Sequence, residues 1–220
     1  MHFEDTPYAG SLLSVPAASP ALVRHLTALR TCTRCPAMIG PVVVGDPATS
    51  ELLTIGQAPG DREPKLGRPF AWTAGKTLFK WFATLGIDEA SFRRKVYMAA
   101  VCRCFPGKNP KGGDRVPSPE EISNCRPWLL TELELVKPAL LVPIGKLAIE
   151  QILGQSRPLV EVIGRVHRTS IDGRNYDVLP LPHPSGASTW HRMEPGRSLL
   201  MKSLDLLGAH PAWHSMLARP

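Results

Sequence analysis

The chain is poor in aromatic residues, 6% of its 220, and has no run of about 18 apolar residues of the kind that crosses a bilayer as a helix. It contains neither G-x-x-x-x-G-K-[ST] nor G-x-G-x-x-G, so nucleotide-cofactor sites are not indicated. It also lacks the G-x-S-x-G elbow of a serine hydrolase. Acids are in deficit: 19 Asp and Glu stand against 26 Lys and Arg, a formal net charge of +7. That balance favours a polyanionic partner such as nucleic acid. The positive charge gathers at Arg93, Arg94 and Lys95, over residues 103–115 and over residues 165–174; the plainer reading is three solvated surfaces. Cysteine is scarce and odd in number, five in all, which argues against a disulfide framework. The opening Met1-His2-Phe3-Glu4-Asp5 has no basic and apolar leader, so the expected location is the cytoplasm.

Hydrophobic residues make up 43% of the chain, enough for a substantial core. Residues 1–20, rich in Pro, Ala and Ser, are expected as an irregular arm, 21–210 as one domain and 211–220 as a tail. Compact apolar runs at 51–55, 96–101 and 140–144 read as strands, with 162–170 and 176–181 as further strands. Helices are expected over 22–29, 75–85, 146–153 and about 195–207. Ser118-Pro119-Glu120-Glu121 marks the start of another, reaching about Val136: Ser caps, Pro fits the first turn and the acids oppose the dipole. Strands alternating with helices predict an α/β fold with a parallel sheet covered on both faces. Such sheets place their sites at the carboxyl ends of the strands. No heptad or spare apolar helix face is visible, so a monomer is expected.

Candidate chemistry falls at those ends. Cys32 and Cys35 have C-x-x-C spacing, and Cys104 and Cys125 lie far along the chain. Four thiolates suit a [4Fe–4S] cluster or a structural zinc, and spacing does not separate the two. In a third reading Cys104 and Cys125 are small core residues. The loop Gly56-Gln57-Ala58-Pro59-Gly60-Asp61-Arg62-Glu63 follows a strand. Its glycines allow close backbone approach, and Asp61 or Glu63 could position water or stabilise a developing cation; a plain polar turn is the alternative. His183-Pro184-Ser185 follows the last strand, where a histidine can hydrogen-bond a carbonyl.

In order along the chain, C-x-x-C, the Gly56–Gly60 segment, Gly67-Arg68-Pro69-Phe70, Ala74-Gly75, residues 97–104, residues 117–121 with 125–129, and His183-Pro184-Ser185 resemble the uracil-DNA glycosylase superfamily, most of all its iron–sulfur-containing family 4. The resemblance runs from Cys32 to about Leu207. It implies a three-layer α/β/α fold with a central, mostly parallel sheet, and a [4Fe–4S] cluster held by Cys32, Cys35, Cys104 and Cys125, with Cys102 left in the core. It implies an enzyme that flips uracil out of DNA and hydrolyses its N-glycosidic bond, with other deaminated bases as a wider substrate range. Phe70 would stack on the base, and Gln57 and Ala58 would face its edge. His183 would stabilise the leaving uracilate, and Ser185 would grip phosphate. Trp190 or His191 would serve as a wedge, and Lys108, Lys111 and Arg115 would meet the DNA backbone.

The chain departs from the family pattern at two positions. Gln57 stands where family 4 has Glu, which leaves Glu63 as the first choice for water activation or oxocarbenium stabilisation and Asp61 as the second. Ala100 stands where an Asn reads the uracil edge, which removes the group that enforces strict uracil specificity. Family 5 also lacks that Asn, but Thr73 stands where it has Asp. With no His between Cys104 and Cys125, covalent trapping on DNA is not expected. The alternative within the same fold is a damaged-DNA-binding protein with little catalysis.

Overall fold

Residues 19–110 and 112–219 are described in a computed structural model of the chain. Of the expected arm only Ser19 and Pro20 fall among them. Pro20 already opens helix α1 (Pro20–Arg30), whose Leu22, Leu26 and Leu29 recur at helical spacing and are buried.

Five strands, β1 (Leu52–Gly56), β2 (Tyr97–Ala100), β3 (Leu140–Pro143), β4 (His167–Ile171) and β5 (Arg174–Val178), form one sheet in the order β2-β1-β3-β5-β4. β1 pairs in parallel with β2 and β3, and β3 with β5; only edge strand β4 is antiparallel. β1, β2 and β3 are buried throughout, and the layer that successive residues face alternates. Leu53, Ile55, Tyr97, Ala99 and Leu141 face a layer containing α1 and α5 (Pro119–Val136). Leu52, Met98, Leu140 and Val142 face the opposite layer, which holds α3 (Thr73–Ala83), α4 (Glu89–Lys95), α8 (Gly196–Ala209) and α9 (Pro211–Ala218). This period-two partition between two apolar layers produces the three-layer α/β/α fold.

Local signals account for most boundaries. The Ser118 hydroxyl accepts from the Glu121 N–H while the Glu121 carboxylate accepts from the Ser118 N–H, a complete capping box at the start of α5. Helix α6 (Lys146–Leu153) occupies the expected span. Three expectations are corrected. Residues 162–170 are not one strand: a short helix, α7 (Leu159–Val162), comes first. Gly164 then takes φ +80° with its N–H donated to Ser203 Oγ, and only after it does β4 begin. The 57–73 loop contains a helical turn, α2 (Glu63–Leu66). The expected tail carries α9, whose Trp213 and Met216 are 1% and 0% exposed. No described helix is long and apolar enough to cross a membrane.

Trp213 lies beside Phe82 and Phe92, at ring-centroid separations of 5.8 and 6.2 Å. Trp213→Ala should therefore cost about 3–5 kcal/mol in urea unfolding, the range for emptying a buried aromatic site; a dispensable tail would give no change.

Candidate active site and cysteine-lined cavity

Because four strands run parallel, their carboxyl ends open on one edge. The ladders continue a step beyond the strands: Cys102 N–H donates to the Gln57 carbonyl at 3.0 Å, and Gly145 N–H to the Leu181 carbonyl at 2.9 Å. Gly56 at the end of β1 lies opposite Ala100 at the end of β2, and β5 leads through Leu181 to His183.

Phe70 is held in the left-handed region, φ +51°, which costs a non-glycine residue about 1–3 kcal/mol. A basic and an acidic side chain grip the backbone around it. Arg93 donates to the carbonyls of Pro69 and Phe70 at 2.8 and 2.9 Å. Glu63 accepts from the N–H of Ala71 and of Gly60, each at 3.2 Å. Hydrogen bonds to charged groups contribute about 1.5–3 kcal/mol each, so the clamp outweighs the strain. Two glycines make room: a Cβ on Gly75 would sit 1.7 Å from the Phe70 carbonyl oxygen, and one on Gly56 would sit 3.1 Å from the Phe70 ring. The ring thus lies on the end of β1, where the resemblance expects the base to stack. Glu63 itself is buried. Burial pushes its carboxyl up to about 7, against the pull of the Gly60 and Ala71 amides and the Arg93 charge.

His183 packs on Gly145, where a Cβ would lie 2.9 Å from its Cδ2. Its Nδ1 accepts from the Ser185 N–H at 3.2 Å, so the neutral ring carries its proton on Nε2. Burial holds its pKa below the ordinary histidine value, with nearby Asp114 opposing and His191 adding to the shift. At neutral pH the group is an uncharged Nε2–H donor. Ser185 spends its own N–H on this arrangement. Ala100, 7% exposed, places no polar group at its strand end.

Asp61 is exposed and pairs with Lys108 at 3.2 Å. The same lysine pairs with Asp114 at 2.7 Å. Asp114 is the residue sequence reasoning missed: it comes within reach of Gly60 and acts on His183. Consecutive positive-φ glycines at 112 and 113 turn the loop back, and that Gly-Gly pair was the available signal. The loop's cations are largely engaged. Arg115 donates to both oxygens of Glu121 at 2.6 and 2.7 Å, Arg103 is buried in an ion pair with Glu132, and Lys111 lies outside the described residues. Of the two expected wedges, His191 is buried while Trp190 is only partly covered. Trp190 packs on Gly196, and His191, 7% exposed, meets the Trp81 ring edge-on at 5.3 Å.

On the α1/α5 side, the end of α1, the turn after it, the loop after β2 and the first third of α5 enclose a cavity of about 360 Å³ lined by Cys32, Cys35, Cys104 and Cys125. Cys102 is fully buried in the core and lines none of it. Among the described residues, no three His, Cys, Asp or Glu side chains are grouped to hold a single metal ion. Four thiols lining one cavity are a donor set that suits either an iron–sulfur cluster or a zinc ion, and Arg30 and Arg34 stand in the same wall.

The chain is also similar to known proteins in sequence. The profile of the uracil DNA glycosylase superfamily matches residues 42–204. The chain is 29% identical over 168 residues to the type-4 uracil-DNA glycosylase of Archaeoglobus fulgidus, covering 74% of this chain and 80% of that protein. It is 30% identical over 160 residues to the type-4 uracil-DNA glycosylase of Thermotoga maritima, covering 71% and 78%. It is also 28% identical over 155 residues to a type-5 uracil-DNA glycosylase of Pyrobaculum aerophilum, covering 57% and 66%.

The raised pKa of Glu63 makes a stability prediction. With a folded value of about 7 against the ordinary 4.5, the folded chain holds the proton more tightly than the unfolded chain. Stability from this group is therefore complete below pH 4.5 and lost as pH rises through about 7. In urea unfolding, the wild-type stability minus that of Glu63→Gln should fall across this window by an amount on the order of 3 kcal/mol. A difference independent of pH would contradict the burial of an ionisable Glu63.

Proposed function

The chain belongs to the uracil DNA glycosylase superfamily, and on that premise we propose that it is a DNA-repair glycosylase that hydrolyses the N-glycosidic bond of uracil in DNA and leaves an abasic site. The observation that carries the reading is the pairing of a clamped aromatic floor, Phe70 on Gly56, with a neutral His183 whose Nε2–H is free to donate at the same sheet edge.

An extruded uracil stacks on Phe70, with the backbone of Gln57 and Ala58 along its edge. As the bond from the sugar to the base nitrogen breaks, the electron pair moves onto the uracil and its carbonyl oxygen. His183 Nε2–H stabilises that charge in a site of low dielectric. Water adds to the sugar carbon, and its proton passes to the departing uracilate directly or by way of the carboxylate that orients the water. Glu63 is the first choice to stabilise the developing sugar cation or orient that water, and Asp61 the second. Ala100 contributes no hydrogen bond to the base edge, so deaminated bases other than uracil also belong to the substrate range.

Cys32, Cys35, Cys104 and Cys125 would hold a [4Fe–4S] cluster, and as its ligands they would tie the α1 turn, the loop after β2 and α5 together beside the approach to the site. The partner is DNA. The protein works as a monomer in the cytoplasm, where thiols remain reduced. One observation favours the second reading, a damaged-DNA-binding protein with little catalysis. Both Glu63 oxygens are already engaged by backbone amides, and Gln57 cannot replace the carboxylate.

End-labelled oligonucleotides with one uracil, single-stranded or opposite G or A, followed by alkali, separate the two readings. Strand breaks at uracil should appear, and His183→Ala should lower kcat by a factor on the order of 10²–10³, the cost of losing one donor to a developing anion. Glu63→Ala should also lose most activity. The active protein should be brown and bleach when Cys104 and Cys125 are replaced. Salt-sensitive DNA binding without breaks would establish the binding-protein reading instead.

A further inference from the structure

The most open aromatic surface near the site is Trp72, two residues beyond Phe70. Its neighbours are fixed by the clamp on the 69–71 backbone, yet its own side chain is 49% exposed. The Arg62 guanidinium and the Lys76 ammonium lie 5.9 and 5.8 Å from its ring centroid, at the outer limit of a cation–π contact. The wider segment is one-signed. Arg62, Lys65, Arg68, Lys76 and Lys80 are all exposed, and none enters an ion pair among the described residues. The acids within it are absent except for Glu63, which is buried. This contrasts with the loop over residues 105–115, where Lys108 and Arg115 are neutralised internally.

An exposed indole beside unpaired cations is the composition of a single-strand platform: a base stacks on the ring while the cations follow the phosphates. In a duplex, bases remain stacked on one another and present no free face. We propose that Trp72 is a stacking platform for an unpaired base next to the extruded nucleotide, with Arg62 and Lys76 on the adjoining phosphates, and that it gives the protein a preference for single-stranded DNA. The proposal rests on the DNA-repair reading for the nature of the strand, but its test does not depend on base excision.

The probe is a fluorescein-labelled single-stranded oligonucleotide without uracil, compared by anisotropy with the same sequence as a duplex. Trp72→Ala should weaken single-strand binding about tenfold, which corresponds to about 1.4 kcal/mol, within the range for one base stacked on an aromatic ring. Trp72→Phe, which keeps a stacking face, should retain most of the affinity, and the duplex should change little with either variant. Replacing Arg62 or Lys76 by Gln should reduce the salt slope of single-strand binding by about 0.7 for each cation removed. No loss in Trp72→Ala, an equal loss for duplex and single strand, or an equal loss in Trp72→Phe would each overturn the platform. If these binding results held while no uracil were excised, the platform would stand and the glycosylase reading would fall.

Discussion

An acidic and a basic side chain, Glu63 and Arg93, hold the backbone of residues 69–71 from its two sides. Arg93 takes the carbonyls and Glu63 takes an amide, and neither can be replaced by the other. That clamp sets the unfavourable backbone angle of Phe70 and lays its ring on Gly56. It also fixes where α3 starts and hence where Trp72 projects. The clamp in turn needs the sheet. Arg93 comes from α4, immediately before β2, and Phe70 lies over the end of β1, so the β1–β2 pairing brings the two halves together. Arg93 gains a further contact over the Phe79 ring at 4.6 Å, which secures it against α3.

Charge counted along a sequence differs from charge available at a surface. Of the three basic clusters read from the sequence, the first two are partly committed inside the fold, while the one over residues 165–174 stays largely in solvent. Arg93 belongs to the clamp, Lys95 donates to the carbonyl of Leu217 at 3.0 Å, Arg103 is paired with Glu132, and Arg168 with Asp177. The segment 62–80, which no cluster count singled out, keeps its cations in solvent because its one acid is turned inward. A positive potential for a nucleic-acid backbone follows from that inward turn of Glu63 as much as from the net charge.

Much of this was legible in advance. Apolar runs gave β1, β2 and β3, and the Ser118–Glu121 signal gave the start of α5. The strand pattern placed His183 at a strand end, and the ordered motifs marked Phe70 in the loop after β1. What escaped was decided by partners distant in sequence. Residues 211–218 read as a tail because eight residues carry little periodicity, yet Trp213 is buried against the stacked Phe82–Phe92 pair. Trp190 and His191 look like free loop residues until Gly196 and Trp81 receive them. Asp114 depends on a reversal at Gly112 and Gly113 to meet Lys108. The ring of four cysteines around one cavity was expected from the family resemblance; spacing alone did not separate a cluster from zinc.

The central claim is that the clamped Phe70 ring forms the floor of a site for a base taken out of the DNA stack. The most direct measurement places 2-aminopurine beside a non-hydrolysable deoxyuridine in a duplex and follows its fluorescence at saturating protein. Extrusion of the uracil unstacks the probe, so its emission should rise with the wild-type chain. The rise should be absent with Gly75→Ala, whose Cβ would occupy the place of the Phe70 carbonyl. Saturated binding without any rise, or the same rise in Gly75→Ala, would contradict it.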